Sequence, residues 1–418
     1  LPALFGKEVN DRAARVRCDY RETVSDLMVE KSLPLWVKWA HSHGFQTRNQ
    51  AHGSPGNLLD LYAAADIPET EMFNQDRNKL VSKFASSAAH VTGKNLVACE
   101  TGTWLKEHFT ETLADMKSLI DDVFLSGVNH VIYHGTCYSP DEADWPGWLF
   151  YASTEMNPRN SIWRDVPALN AYNARCQSVL QSGRPDNDIL LYWPVHDFWQ
   201  QPGDRLLPHF NVHSRGWFEA QPIGKTAKHL WNRGYAFDYV SDRQLATAKA
   251  GKSGTIRLPG SSYGVVVVPP CDCMPALTLQ NLISLARAGA TVVFESHLPK
   301  DSPGFANLEK QRAKFKRALR EVKLGPATGK FQEAKIGNGR VLVGELESAL
   351  AGADVAREAM FDHAGLMCLR RAYDNGHDYF IANRGEQEID DWITLARRGH
   401  SVVLMDGLSG RVGAGELR

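Results

Sequence analysis

Two periods alternate along the first third of the chain. DLMVEKSLPLWVKWAHS, from Asp26 to Ser42, spaces its apolar residues for an amphipathic helix. GFQTRNQAHG then opens as a strand near Phe45 and ends in polar residues. NLLDLYAAA predicts a short helix and ADIPETEMF another extended run. QDRNKLVSKFASSAAHVTG predicts a long helix with Gly93 as its C-cap. KNLVACE is the next strand, HFTETLADMKSLIDDVFLSG a helix closed by Gly127, and VNHVIYHG a strand with His134 at its polar end.

This βαβαβαβ order argues for a parallel sheet covered by helices. Polar and aromatic residues gather after each strand, which in a (β/α)8 barrel is the catalytic face. A doubly wound open sheet is the alternative, but no glycine-rich phosphate turn follows any of these strands. GKSGT near Lys252 lacks the rest of a P-loop and follows no strand. Four strands are half a barrel, with two unpaired edges. The expectation is therefore that residues 1–165 form the C-terminal half of a catalytic barrel whose N-terminal half lies outside this chain. Such a piece alone is expected to be inactive and to associate through its open edges.

A second α/β unit is predicted after a connecting helix, over 166–360. DNDILLYWPV, GYAFDYVS, YGVVVVPP, ATVVFES and GRVLVGE read as its strands, and LTLQNLISLARAG as its clearest helix. The pattern is flavodoxin-like, with VVVV a central strand stopped by a proline pair. Over 361–418 the chain turns to short β runs, with an Asn-Gly hairpin signal in YDNGHDYF. These read as the start of a β-sandwich.

Composition removes some function classes. The 418 residues carry 47 Lys plus Arg against 48 Asp plus Glu, a net charge of −1, which gives no support for a nucleic-acid partner. No apolar run approaches a membrane span, and no signal peptide is visible. The chain opens on Leu1 rather than Met and so reads as processed or excised. Its seven Cys show neither a disulfide framework nor zinc spacing, and Cys271 and Cys273 read as free thiols. Eleven Trp suit a sugar-binding cleft or a large core equally.

The candidate chemistry is carboxylate chemistry. Glu100 follows an apolar strand, where a glycosidase acid or base would stand. Alternatively, Thr101 or Thr103 caps the next helix and Glu100 is only a favourable charge beside it. In DIPETE, an extended backbone sends Glu69 and Glu71 to one side. They could bind a hard cation such as calcium, or simply be solvated. Arg48, Asn49, Gln50 and His52 stand at a strand end, and amides and imidazoles there suit sugar hydroxyls. His134, Tyr138, Trp145 and Trp148 follow the last strand, and Trp104 follows Glu100 closely. Their rings could stack on a pyranose or simply pin a loop. His41, His43 and His90 read as helix-end residues without a role.

Three long strings carry a family likeness: RNQAHGSPGNLLDLYAAADIPETEMF, KFASSAAHVTGKNLVACETGTWLKEHF and GVNHVIYHGTCYSPDEADWPGWLFYAS. With LNAYNARCQSVLQSGRPDNDILLYWP and YFIANR they resemble the α-L-rhamnosidases of glycoside hydrolase family 106. The resemblance covers most of the chain. It implies a (β/α)8 barrel, an inverting mechanism, a calcium ion near the sugar, and terminal L-rhamnose, often in pectic polysaccharide, as substrate. It also implies a secreted or periplasmic enzyme. By position Glu100 matches the family's later carboxylate, the general base, and Glu69 an active-site acid on the sugar or the calcium. The candidate substrate contacts are Asn49, His52, Glu71, Trp104, His134, Tyr138, Trp145 and Trp148. The family's general acid lies in an SWE-type motif upstream of the LPAL that opens this chain, and that motif is absent. Another barrel glycosidase or a non-catalytic carbohydrate-binding protein are the competing readings.

Overall fold

Side-chain caps set the helix starts of the first unit. Asn57, Asn78 and Thr112 each accept a hydrogen bond from a first-turn backbone N–H, Thr112 within a capping box with Asp115. Such bonds satisfy donors that have no partner inside the helix. The computed structural model describes residues 2–5, 10–203 and 205–418. After a short helical turn at Pro2–Phe5 come α1 (Asp11–Leu27), a π-helical turn (Met28–Ser32), α2 (Leu33–Ser42), β1 (Arg48–Asn49), α3 (Leu58–Ala64) and β2 (Ile67–Phe73). Then come α4 (Lys79–Thr92), β3 (Ala98–Thr103), α5 (Leu113–Leu125), β4 (His130–Tyr133) and α6 (Val166–Leu180). Gly93 ends α4 at φ +82°, a left-handed conformation that costs glycine nothing.

Some boundaries differ from the sequence expectation. The helix expected from Asp26 continues a run that starts at Asp11. Its first half buries Arg15, Arg17 and Arg21 rather than an apolar stripe, so hydrophobic periodicity does not reveal it. Arg21 donates to the carbonyls of Trp199 and Gln201, and Arg15 to that of Ser302. The strand near Phe45 shrinks to Arg48–Asn49, and the helix expected from His108 starts at Leu113, behind its Thr112 cap.

β1 to β4 form a parallel four-stranded sheet in chain order. One side is apolar: Met72 and Cys99 are buried against Leu59 and Tyr62 of α3, Phe84 of α4, and Leu119 and Phe124 of α5.

The second sheet uses β6 (Ile189–Tyr192) and β7 (Phe237–Val240), which follow the two-residue β5 (Arg184–Pro185). It continues with β8 (Val265–Val268), β9 (Thr291–Glu295), β10 (Ala327–Thr328), β11 (Phe331–Ile336) and β12 (Gly339–Gly344). The spatial order is β10-β11-β12-β9-β8-β6-β7, with the last five strands parallel. Those five run 2-1-3-4-5 in chain sequence, the order of flavodoxin-like sheets. β13 (Leu366–Ala372) and β14 (His377–Asn383) form a hairpin that adds β5 as a third strand, and β15 (Val402–Met405) pairs with β16 (Val412–Gly415). The segment expected to open a β-sandwich is thus two small antiparallel sheets. Arg370 of β13 reaches across residue 361 to Glu358 and on to Asp188, both at 2.6 Å. The seven cysteines are free thiols, and no helix among the described residues is long and apolar enough to cross a membrane.

The two larger sheets meet at a buried aspartate. Asp238 of β7 is fully buried, with Lys83, Ser87 and His90 of α4 on one oxygen and Asn187 and Tyr263 on the other. His90, in the last turn of α4 as expected, is thus a buried partner of Asp238 rather than a residue without a role. Around this group Phe84 stacks on Tyr239 and meets Trp193, Trp217 and Phe218 edge-on. Burial opposes the charge on Asp238, but His90, Lys83 and the hydrogen bonds from His90 and Asn187 outweigh it and hold the carboxyl well below its usual range.

Asp238→Ala strands Lys83 and His90 without their counter-ion. It is expected to cost about 3–5 kcal/mol, read as a lower urea midpoint. Because the folded carboxyl titrates low, its contribution is present above the unfolded value of about 4 and is lost as pH falls below it. The variant should therefore lose less stability on acidification than the wild type. Equal midpoints would remove Asp238 as the anchor.

Candidate active site

The other side of the four-stranded sheet is polar. Parallel register aligns Arg48 with Ile67, Glu71 with Glu100 and Glu100 with Ile132, so these residues share a side. Period-two alternation adds Gln50, Glu69 and His134. Gln50 Nε2 donates to Glu69 at 3.2 Å and to Glu100 at 2.6 Å. Arg48 Nε lies 2.7 Å from the other oxygen of Glu69. His134 Nε2 is 3.7 Å from Glu100, and its Nδ1 is within 3.0 Å of the Thr103 hydroxyl. Glu71 Oε2 lies 3.3 Å from His52 and 3.4 Å from His213, whose far nitrogen is 3.0 Å from Asp76.

The surroundings split the acids. Burial raises Glu69, reinforced by the charge of Glu100 and opposed by Arg48 and Gln50. Burial also acts on Glu71, but the two imidazoles overcome it and bring it down to about 2. Neighbouring carboxyls pushed apart in this way are suited to different roles, one holding a proton more readily and one staying ionised.

A sheet with convergent acids, amides and imidazoles on one side fits carbohydrate chemistry. The family model for alpha-L-rhamnosidase, glycoside hydrolase family 106, matches residues 1–202 and 219–414. The chain belongs to that family. A solved rhamnosidase from Novosphingobium sp. PP1Y is 24% identical, with a TM-score of 0.75 over 89% of this chain and 35% of its own. A protein of Formosa agariphila with the provisional name beta-glucuronidase is 28% identical over 76% of this chain and 25% of its own length. A GH42 beta-galactosidase from G. stearothermophilus, 10% identical, superposes with a TM-score of 0.63 over 98% of this chain and 67% of its own, a likeness of fold alone. This family member thus spans about a third of the Novosphingobium enzyme and a quarter of the Formosa protein.

Within this member of the rhamnosidase family, Glu69, Glu71, Glu100, His52 and His134 come together. Neither Thr101 nor Thr103 caps the following helix, because Thr112 does, so Glu100 is not a charge beside its first turn. Trp104 is a correction: it is 3% exposed and packs in the core, so it offers no ring face to a sugar. Alternation turns Asn49 away from Arg48 and Gln50. Tyr138, Trp145 and Trp148 are exposed on the loop after β4, with Tyr138 edge-on to Trp148. That loop reaches the acids through Phe150, edge-on to His134 at 5.5 Å. The calcium implied at Glu69 would meet a cation already there: Arg48 Nε stands 2.7 Å from Oε2, and the Gln50 amide donates to Oε1. Among the described residues no three His, Cys, Asp or Glu side chains are grouped to hold a metal ion. His213 and Asp76 went unread in the sequence. His213 stands more than a hundred residues from Glu71, in a segment with no motif.

Glu71 and His213 define a pH window. The lowered carboxyl stabilises the fold above its unfolded value of about 4.3, and that contribution is lost as pH falls toward 2. His213 is raised, chiefly by Glu71 and against burial, so its contribution is full below about 6.5 and is lost as pH rises through its folded value. Glu71→Gln should move the His213 titration, followed by NMR, toward the ordinary value. The stability gap to wild type should be widest between about pH 4.3 and 6.5. An unmoved histidine titration would rule out the pairing.

Proposed function

We propose that this chain is the C-terminal half of the (β/α)8 catalytic barrel of an α-L-rhamnosidase, followed by its α/β and β units. Its proposed action is removal of terminal L-rhamnose from a plant-type polysaccharide or glycoside, outside the cytoplasm. The observation that carries this is the convergence of Glu69, Glu71 and Glu100 on one side of a parallel sheet in a chain of this family. Glu100, partly exposed and backed by Gln50 and His134, is the proposed general base that takes a proton from the attacking water. Glu71 stays ionised and accepts a sugar hydroxyl, while Tyr138, Trp145 and Trp148 line the leaving-group side.

Glu69 is not the acid partner of Glu100 in an inverting reaction. One amide nitrogen bonds both, at 3.2 and 2.6 Å, whereas an inverting pair stands about 6.5–9.5 Å apart. The acid is therefore proposed to come from the barrel strands outside this chain. The same closeness favours a second reading, a retaining glycosidase in which Glu69 and Glu100 are the pair, about 5–5.5 Å apart. Calcium is not assigned to Glu69, and no step is routed through it.

In the full-length protein, Glu100→Gln should lower kcat on an aryl α-L-rhamnoside by about two to four orders of magnitude and leave KM nearly unchanged. The anomer released, followed by NMR, separates the readings: β-L-rhamnose for inversion, α for retention. Near-normal turnover in the variant would reject Glu100 as base. Hydrolysis of an aryl β-glucuronide in place of the rhamnoside would reject the substrate.

A further inference from the structure

His213 does not belong to the four-stranded sheet. It sits on the segment between β6 and β7, yet it touches Glu71 in the middle of the acid cluster. The stretch from Phe210 to Trp217 is held by contacts on both sides. Phe210 is fully buried among Trp193, Phe198 and Trp217, and its backbone exchanges hydrogen bonds with Gly53 and Ser54, next to His52. The Asn211 side chain accepts from the backbone N–H of His213 and Ser214, and the Asn211 carbonyl accepts from Trp217 Nε1. The imidazole lies against the Phe73 ring at 4.4 Å, with Asp76 on Nδ1 and Glu71 on Nε2.

Both imidazoles at Glu71 contact the same atom. His213 Nε2 and His52 Nε2, which also lies 3.2 Å from Gln50 Oε1, approach Oε2 at 3.4 and 3.3 Å. We propose that His213 is a positioning residue for sugar binding: Asp76 orients its ring, and with His52 it grips one oxygen of Glu71, which leaves the other free to accept a substrate hydroxyl. This deepens the proposed carbohydrate site and rests on it. The α/β unit then completes the sugar site rather than merely following it. A carboxylate held through one oxygen presents the other in a fixed direction, so its bond to a hydroxyl carries no ordering cost at binding.

The groups that face His213 are Glu71, Asp76, His52 and the Phe73 ring. As pH rises and the imidazolium deprotonates, the grip on Oε2 weakens. KM should therefore climb while kcat holds.

The test uses the full-length protein and an aryl α-L-rhamnoside, with L-rhamnose titrated calorimetrically as a readout that needs no turnover. His213→Ala should raise KM, and the Kd for L-rhamnose, about tenfold, with kcat within about threefold of wild type. His213→Gln keeps a donor near Oε2 and should recover most of the affinity, but its KM should be flat in pH. Asp76→Asn should fall between them. Unchanged KM and Kd in the Ala and Gln variants would overturn the proposal, as would a loss confined to kcat. Far-UV circular dichroism showing both variants unfolded would reduce His213 to a strut and overturn it too. A wild type that binds L-rhamnose without hydrolysis, and loses that binding in His213→Ala, would reject the catalytic reading and keep this one. A wild type that does not bind L-rhamnose would overturn both.

Discussion

The arrangement of this chain hangs on one buried carboxylate. Asp238 leaves water completely, a cost met only because five partners from α4 and the second unit converge on it. Two of those partners carry or can carry positive charge, and all three from α4 belong to the helix that covers the first sheet. The contact therefore fixes α4 against β7 more specifically than the surrounding aromatic cluster could, since apolar contacts tolerate sliding and a multidentate polar group does not. Once α4 is docked, the segment carrying Phe210 and His213 falls over the strand ends of the first sheet. The geometry of the acid cluster is thus a consequence of how two sheets were joined.

The first sheet supplies the other half of the logic. Its helix side is apolar and closed, and its opposite side bears charged and amide groups that a helix could not cover without leaving them unpaired. Such a surface is stable only where water, other polar strands or a polar ligand face it. Within it the carboxyls are not equivalent. Glu69 is buried beside Arg48 and Glu100, Glu71 is gripped by two imidazoles, and Glu100 keeps solvent access. Residues of one chemical type are given different tasks by their neighbours.

The C-terminal strands are bound in by the same device. Arg370, almost wholly buried, spans Glu358 and Asp188, while Arg384 after β14 reaches Asp122 of α5 at 3.0 Å. The β13–β14 hairpin is thereby tied both to the segment that enters the second sheet and to a helix of the first.

Much was legible in the residues themselves. Period-two and period-3.6 patterns, with Gly93 and Gly127 as stops, determined the βαβ order of the first unit and the strands of the second, because burial of one face leaves its trace in a local pattern. Long specific strings determined the family. The alternation of Glu69 and Glu71, and the position of Glu100 on the next strand, marked the acids. Local pattern was silent wherever a residue's role depended on a distant partner. α1 was hidden because it buries arginines against carbonyls far along the chain, and Trp104 could not be told from a sugar-facing tryptophan until the core closed over it. His213 reaches the site, and its partner Asp76 in the first unit, only through the docking of the second sheet. No spacing along the chain encodes that approach, because it is set by which surfaces exclude water together.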